Sequence, residues 1–228
     1  MCTKSRARPS ETEDVSHQFI RMTRREGNVA LIVDEWGTWF EVEKGSNPGF
    51  LYQQNTMRDA LVAAISLNTF DRHSKRVKMA NIAQAVNVLQ AIILTEGAKL
   101  VKTPTYHVFD LYKEHQGGEC VYCYTQNENL KDGKNVPMIS SSCTIKDGIM
   151  TLTLANCSLT DEAHLECDIF GYEAKKATAR ILTQEVHACN DFNHAERVKI
   201  EEFHATVDEG RLDIKLPSCS VVEVRIYQ

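Results

Sequence analysis

No apolar run in this sequence approaches the length of about 18 residues that a membrane-spanning helix requires. Nor do the first twenty residues hold the apolar stretch of about 7–15 residues that marks a secretory signal. Neither a membrane span nor a signal peptide is therefore expected; localisation stays unknown, with the cytoplasm as the default. Basic residues are not in excess: the net charge is −5, which argues against a nucleic-acid partner. Internal repeats, low-complexity tracts, a phosphate-binding loop and a dinucleotide fingerprint are all missing, and no cofactor is expected. At 228 residues the chain is also shorter than the roughly 250 of a typical (β/α)8 barrel.

What is present is an ordinary globular composition. Apolar residues make up 43% and charged residues 25%, enough to bury a sizeable core and to exclude disorder and collagen. Charge is split unevenly: residues 1–118 carry 15 Lys and Arg against 13 Asp and Glu, whereas residues 119–228 carry 11 against 18. A boundary near Gly117-Gly118 follows, giving domains 1–118 and 119–228. Cysteines are skewed in the same way, with Cys2 alone in the first part and Cys120, Cys123, Cys143, Cys157, Cys167, Cys189 and Cys219 in the second. Most sit singly in apolar or alternating segments, where a thiol behaves as a small buried hydrophobe. Cys120-Val121-Tyr122-Cys123 invites a metal or redox reading, but no second C-x-x-C follows to complete a four-ligand zinc site, and no metal is assigned.

The two parts differ in hydrophobic period. A helical pattern over residues 17–25 ends at Glu26-Gly27-Asn28, and the apolar run Val29-Ala30-Leu31-Ile32-Val33 then fits a strand buried on both faces. After a loop over residues 43–49, Met57, Leu61, Ala64, Ile65 and Asn68 recur at helical spacing. Residues 76–83 form a second strand candidate, residues 86–94 are buried but ambiguous in type, and residues 105–115 are again helical. This is α/β order, about two βα units of it. Beyond residue 119 short strands dominate: 138–146 and 149–156 joined by Asp147-Gly148, then 164–170, 177–183, 198–207, 212–216 and 221–227, with Asp208-Glu209-Gly210 as a further turn. Thr151 and Thr153 alternate with Leu152 and Leu154 as in a half-buried strand. Seven strands in about 110 residues indicate a β-sandwich.

Chemistry concentrates at residues 30–40, A-L-I-V-D-E-W-G-T-W-F, which put Asp34 and Glu35 at the carboxyl end of the first strand, the edge where α/β enzymes place reacting groups. Both tryptophans of the chain, Trp36 and Trp39, lie within four residues of Glu35. A carboxylate beside an aromatic wall suits a sugar site, the ring covering apolar C–H surface while the carboxylate works at the anomeric carbon. An acidic pair at a strand end with two packing tryptophans satisfies the same spacing. Asp34 has an orienting role or a packing and capping one. Arg72, His73, Lys75 and Arg76 read as a solvated basic cluster, and His107 and His115 share a helical face only loosely.

The motif V-D-E-W-G-T-W-F, followed by N-P-G-F-L-Y-Q-Q-N-T-M-R-D-A-L-V-A, R-H-S-K-R-V-K-M-A-N-I-A-Q-A-V-N-V-L-Q and L-T-E-G-A-K-L-V-K-T-P-T-Y-H-V-F-D-L-Y, resembles the C-terminal half of the α-L-arabinofuranosidases of glycoside hydrolase family 51. The resemblance runs from about residue 17 to the end. It implies a fold class of α/β plus all-β: the last βα units of a (β/α)8 barrel followed by a jelly-roll-like antiparallel β-sandwich. It implies a retaining hydrolase acting on terminal α-L-arabinofuranosyl groups of arabinan or arabinoxylan, with Glu35 as nucleophile and Trp39, Gln84, Trp36 and Asn87 around the sugar. For Asn87 a buried structural amide fits the sequence equally well.

A retaining glycosidase needs a second carboxylate about 5–5.5 Å from the nucleophile. In the resembled family it belongs to a Gly-Asn-Glu motif more than a hundred residues upstream, and no such tripeptide occurs here; Gly27-Asn28 is followed by Val29. The expectation is a chain that carries the nucleophile, is inactive alone, and partners either an arabinose-containing saccharide, a second copy, or a missing N-terminal half. A non-catalytic carbohydrate-binding or subunit-interaction module is the alternative. Residues 119–228 are expected to be compact and the region before Val29 poorly fixed.

Overall fold

The computed structural model describes residues 29–130 and 136–228. The helix expected over residues 17–25, with its end at Glu26-Gly27-Asn28, lies outside the described residues, as does Cys2. The described chain is mostly β. Strand β1 (Leu31–Trp36) is followed by helix α1 (Met57–Arg72), strand β2 (Val77–Ile82), a hairpin of β3 (Ile93–Glu96) and β4 (Lys99–Lys102), and helix α2 (Pro104–Tyr112). Then come β5 (Glu119–Cys120), β6 (Ile139–Lys146), β7 (Ile149–Asn156), β8 (Ala163–Asp168), β9 (Lys176–Thr183), β10 (Glu201–Phe203), β11 (Thr206–Asp208), β12 (Arg211–Leu216) and β13 (Ser220–Tyr227). The ambiguous segment before residue 94 is irregular backbone leading into β3. The single strand expected over 198–207 is two short ones.

The strands after residue 118 form two antiparallel sheets, ordered β10-β9-β13-β7-β6-β5 and β11-β12-β8. Asp147 and Gly148, both at positive φ, make the tight turn between β6 and β7, where glycine carries no steric penalty. Leu152, Leu154, Ile181, Val222 and Val224 of the large sheet meet Leu212, Ile214 and Leu216 of the small one to form the core between them. Cys143 belongs to this core, and burial pushes its thiol up to about 12. Cys157, in the other core, is raised to about 12 by the same cause.

The large sheet is covered on its other face as well. Met57, Ala60, Leu61 and Ala64 of α1 and Val108, Leu111 and Tyr112 of α2 pack with Ala155, Leu182 and Val221. This core is continuous across Gly117-Gly118. Thr151 and Thr153 are consequently buried, unlike the half-exposed strand that their alternation with leucine suggests. Their face is polar because it receives polar groups from the helices. Asn68 Oδ1 lies 2.8–2.9 Å from the hydroxyls of Tyr112, Ser142 and Thr153, and Asn68 Nδ2 donates to Ser140 Oγ at 3.1 Å. Arg72, exposed as expected, also donates to the Ser141 carbonyl at 2.5 Å.

The first strand pair departs from expectation too. β1 and β2 run parallel, but Ile32 is 45% and Met79 54% exposed, so the pair is not buried on both faces among the described residues. The apolar run predicts a covered sheet, and only one side of β1 finds cover here, where Trp36 packs on Phe70 and Phe109.

His115 and Asp71 sit within the polar layer between α1 and the large sheet. His115 Nδ1 is 2.8 Å from Thr144 Oγ1 and Nε2 is 3.0 Å from Thr153 Oγ1. Burial holds its pKa down at about 4 from an ordinary 6.5. Burial raises Asp71 from 3.8 to about 6, with the Ser142 hydrogen bond and Arg72 opposing the rise. Acidification from pH 6.5 towards 4 therefore protonates His115 in the unfolded chain first and withdraws stability. Asp71 does the reverse: between about pH 6 and 3.8 its folded form binds the proton first, which adds stability. The two slopes oppose, each at most about 1.4 kcal/mol per pH unit. Asp71→Asn should thus make the midpoint of urea unfolding fall more steeply than in the parent as pH drops through this window, whereas His115→Gln should flatten or reverse the fall. Identical pH profiles for the parent and Asp71→Asn would refute the opposition.

Candidate active site

Glu35 and Gln84 occupy the same edge of the parallel pair. Glu35 is the fifth residue of β1, and Gln84 lies two residues past the end of β2, joined to β1 by the hydrogen bond from Ala83 N to Trp36 O at 2.9 Å. The register slips between Val33, paired with Ala80, and Trp36, paired with Ile82, so Asp34 and Glu35 together oppose a single residue. Such bulges re-aim side chains and are common beside reacting groups. Both carboxylates, and Gln84, are exposed.

The turn after β1 is held by buried polar groups. Gly37 has φ +138°, a conformation that L side chains rarely adopt, and a Cβ there would lie 3.1 Å from Gln90 Oε1. The next residue, Thr38, is buried: its N–H donates to Gln90 Oε1 at 2.8 Å and its hydroxyl to Asp59 Oδ1 at 2.5 Å. Gln53 Nε2 reaches the Thr38 carbonyl at 3.3 Å, and Gln53 Oε1 accepts from Phe40 N at 3.0 Å. Trp39 is therefore carried between two anchored residues, with its own side chain 63% exposed.

Asp59 joins these contacts. Its residue is 0% exposed, and Oδ2 accepts from the Thr56 backbone N–H at 2.8 Å, capping α1 from the third helical position. Arg58 pairs with the same oxygen at 3.2 Å while its guanidinium lies 3.7 Å above the Phe40 ring centroid. Gln90 Nε2 donates to the Asp59 carbonyl at 2.7 Å and to Thr105 Oγ1 at 3.1 Å, bringing α2 into the same network. The first two N–H groups of α1 are met by carbonyls of a distant loop: Met57 N by Ala188 O and Arg58 N by Val186 O, each at 2.9 Å.

Of the residues singled out from the sequence, Glu35 and Gln84 share this open edge, and the exposed Trp39 lies in the turn that follows β1. Trp36 does not share that edge. Its ring is turned into the core, 5.5 Å from Phe70 and 6.1 Å from Phe109 between centroids, because the helices behind β1 offer an aromatic socket. Asn87 is spent on β3: Oδ1 accepts from Thr95 N at 2.7 Å and Nδ2 donates to Thr95 Oγ1 at 2.9 Å, so its amide fixes the loop instead of facing a ligand. Sequence reasoning passed over Thr38, Asp59 and Gln90. The spacing Thr56-x-x-Asp59 ahead of an apolar helix was the available signal for the second, whereas nothing local marks Gln90.

The α-L-arabinofuranosidase C-terminal domain family matches residues 34–220. The intracellular exo-α-L-arabinofuranosidase of Bacteroides ovatus is 39% identical over 224 residues, which is 95% of this chain and 44% of that protein. The intracellular exo-α-(1→5)-L-arabinofuranosidase 1 of Bacillus subtilis is 25% identical over 203 residues, covering 83% of this chain and 41% of its own length. Among solved structures, the family 51 arabinofuranosidase of Xanthomonas axonopodis pv. citri superposes with a TM-score of 0.90 at 37% identity, over 96% of this chain and 45% of that one. The arabinose complex of the Thermotoga maritima α-L-arabinofuranosidase gives 0.84 at 25% identity, over 96% and 48%. The chain thus spans less than half the length of these relatives. No helix among the described residues is long and apolar enough to cross a membrane.

Replacing Asp59 by Ala removes a helix cap and leaves the Thr38 hydroxyl and the Thr56 N–H without their buried acceptor. The expected loss is about 2–4 kcal/mol of unfolding free energy in urea. Asp59→Asn, which keeps one carbonyl oxygen, should cost less. A loss below about 0.5 kcal/mol for the alanine variant would mean that water replaces the carboxylate.

Proposed function

This chain belongs to the α-L-arabinofuranosidase C-terminal domain family, whose solved relatives include glycoside hydrolase family 51 enzymes, and from that premise we propose that it forms the C-terminal part of a retaining α-L-arabinofuranosidase with Glu35 as nucleophile. The observation that carries this reading is the placement of an exposed Glu35 at a bulge on the carboxyl end of β1, followed at once by a turn pinned through Thr38. In the reaction the Glu35 carboxylate attacks the anomeric carbon as the glycosidic C–O bond breaks, giving a glycosyl ester and a leaving oxygen that takes its proton from an acid. Water then cleaves the ester and restores Glu35. Trp39 covers an apolar face of the sugar, and the Gln84 amide hydrogen-bonds a sugar hydroxyl. Trp36 acts at one remove, anchoring β1 against the core. The substrate class is an arabinan or arabinoxylan side group, and an arabinose-containing saccharide is the small-molecule partner.

The proposal extends to organisation. Residues 1–118 contribute the last part of a (β/α)8 catalytic barrel and residues 119–228 its sandwich, the two sharing the core around α1 and α2. The open side of β1 and β2, with Ile32 and Met79 exposed, is then where preceding barrel strands pack. Residues 1–228 contain no Gly-Asn-Glu, the motif that supplies the acid in the resembled family, so by themselves they lack protonation of the leaving group, a contribution of about 10²–10⁴-fold.

Purified residues 1–228 should therefore release no aryl alcohol from an aryl α-L-arabinofuranoside above background; turnover abolished by Glu35→Gln would falsify this. Joined to the N-terminal part of the Bacteroides ovatus enzyme, the same residues should support hydrolysis. In that fusion Glu35→Ala should lose it, and added azide should restore turnover with a β-arabinofuranosyl azide as product. Unaltered hydrolysis by the Glu35→Ala fusion would remove Glu35 from the reaction.

A further inference from the structure

On the outer face of the small sheet, three side chains of two chemical kinds converge. His164 and Glu166 project from β8 and Asp213 from β12, and one donor atom from each lies within 4.8 Å of the others. His164 Nε2 is 2.8 Å from Asp213 Oδ2. Register explains the convergence: Glu166 sits directly opposite Asp213, and His164, two residues before Glu166 on the same strand, lies on the same side of the sheet. The intervening positions carry Leu165 on β8 and Leu212 and Ile214 on β12, and the last two are buried, so both strands are fixed from below.

Two carboxylates directly opposite each other on neighbouring strands repel, and sheets ordinarily avoid the pairing. Arg211 relieves part of this, with NH1 3.2 Å from Glu166 Oε2 and Nε 2.9 Å from Asp168 Oδ1. It approaches the Glu166 carboxylate from the side away from His164, since Arg211 is paired with Asp168. The three donor groups are thus one imidazole and two carboxylates, with His164 and Glu166 exposed, on a face where Lys215 sits opposite His164.

We propose that His164, Glu166 and Asp213 form a binding site for a divalent transition-metal ion of the zinc type. Donors around such an ion stand about 2.0–2.2 Å from it, hence about 3–4 Å apart. An entering ion would part His164 Nε2 from Asp213 Oδ2, now 2.8 Å apart and hydrogen-bonded, and draw the Glu166 carboxylate towards them. Imidazole with carboxylates suits Zn2+ and its late first-row neighbours better than Ca2+ or Mg2+, which prefer all-oxygen shells. The ion would bridge β8 and β12 and neutralise the opposed carboxylates. The site is on the small sheet, whose other face packs against the large sheet, and it takes no part in the chemistry assigned to Glu35.

The test is calorimetric titration of chelator-treated chain with Zn2+ alone, at a pH where free imidazole is neutral. One equivalent should bind with a micromolar Kd. Loss of an outer partner of a ligand typically weakens metal sites 10–100-fold, so removing a ligand outright in His164→Ala should weaken binding at least about tenfold. Asp213→Asn should do the same, and a Cys120→Ser/Cys123→Ser double variant should bind as the parent does. Thermal unfolding without metal checks that each variant is folded. No binding up to millimolar Zn2+ would overturn the proposal. So would a parent-like isotherm in His164→Ala, or loss of the isotherm in the cysteine variant, which would assign the ion to the thiols.

Discussion

A carboxylate with no solvent exposure is tolerable only when its oxygens are occupied, and Asp59 meets that condition by serving three parts of the chain at once. One oxygen caps α1 and pairs with Arg58; the other receives the Thr38 hydroxyl, while the Asp59 carbonyl receives Gln90. The Thr56 N–H, Arg58 and the Thr38 hydroxyl cannot leave without unpairing a buried carboxylate oxygen. The turn carrying Trp39 is therefore set by the start of α1, and α1 is set by the carbonyls of Val186 and Ala188. The open edge of β1 owes its geometry to groups that never touch it.

The large sheet plays a matching part at the level of layers. Its inner face is aliphatic and meets the small sheet, whereas its outer face mixes Ala155, Leu182 and Val221 with Ser140, Ser142, Thr144 and Thr153 and meets the helices. Glu223 extends the pattern. It is buried on this outer face and bonded by Arg180 at 2.6 Å, and Arg180 also reaches Asp110 of α2 at 3.5 Å. A helix seated by such directional contacts has one register, where an apolar seam would tolerate several.

These layers explain what could be read from the sequence. The hairpin at Asp147-Gly148, the helix beginning at Met57 and the strand around Val77 rest on turn chemistry and local period, and each lies where those signals put it. Thr151 and Thr153 misled because alternation reports two unlike faces without saying what covers the polar one. For Trp36 and Asn87 the sequence left a packing tryptophan and a structural amide open beside a sugar contact, and the choice falls to partners such as Phe109 and Thr95, fixed only by tertiary packing. That Glu35 and Gln84 lie at one edge was legible because strand ends in a parallel pair share an edge. Gln90 has no local period or spacing to betray it, since its three partners lie 15 to 52 residues away.

The bonds from Met57 N to Ala188 O and from Arg58 N to Val186 O join positions about 130 residues apart. During synthesis, a ribosome that has released α1 must therefore add most of the sandwich before the first turn of that helix acquires its native acceptors. Contacts of such sequence separation slow folding, because the loop between them must close before they contribute. The segment bearing Glu35 and Trp39 is among the first described residues to be made, yet the helix start that holds its turn waits for the loop carrying Val186 and Ala188, so maturation of that edge follows synthesis of that loop.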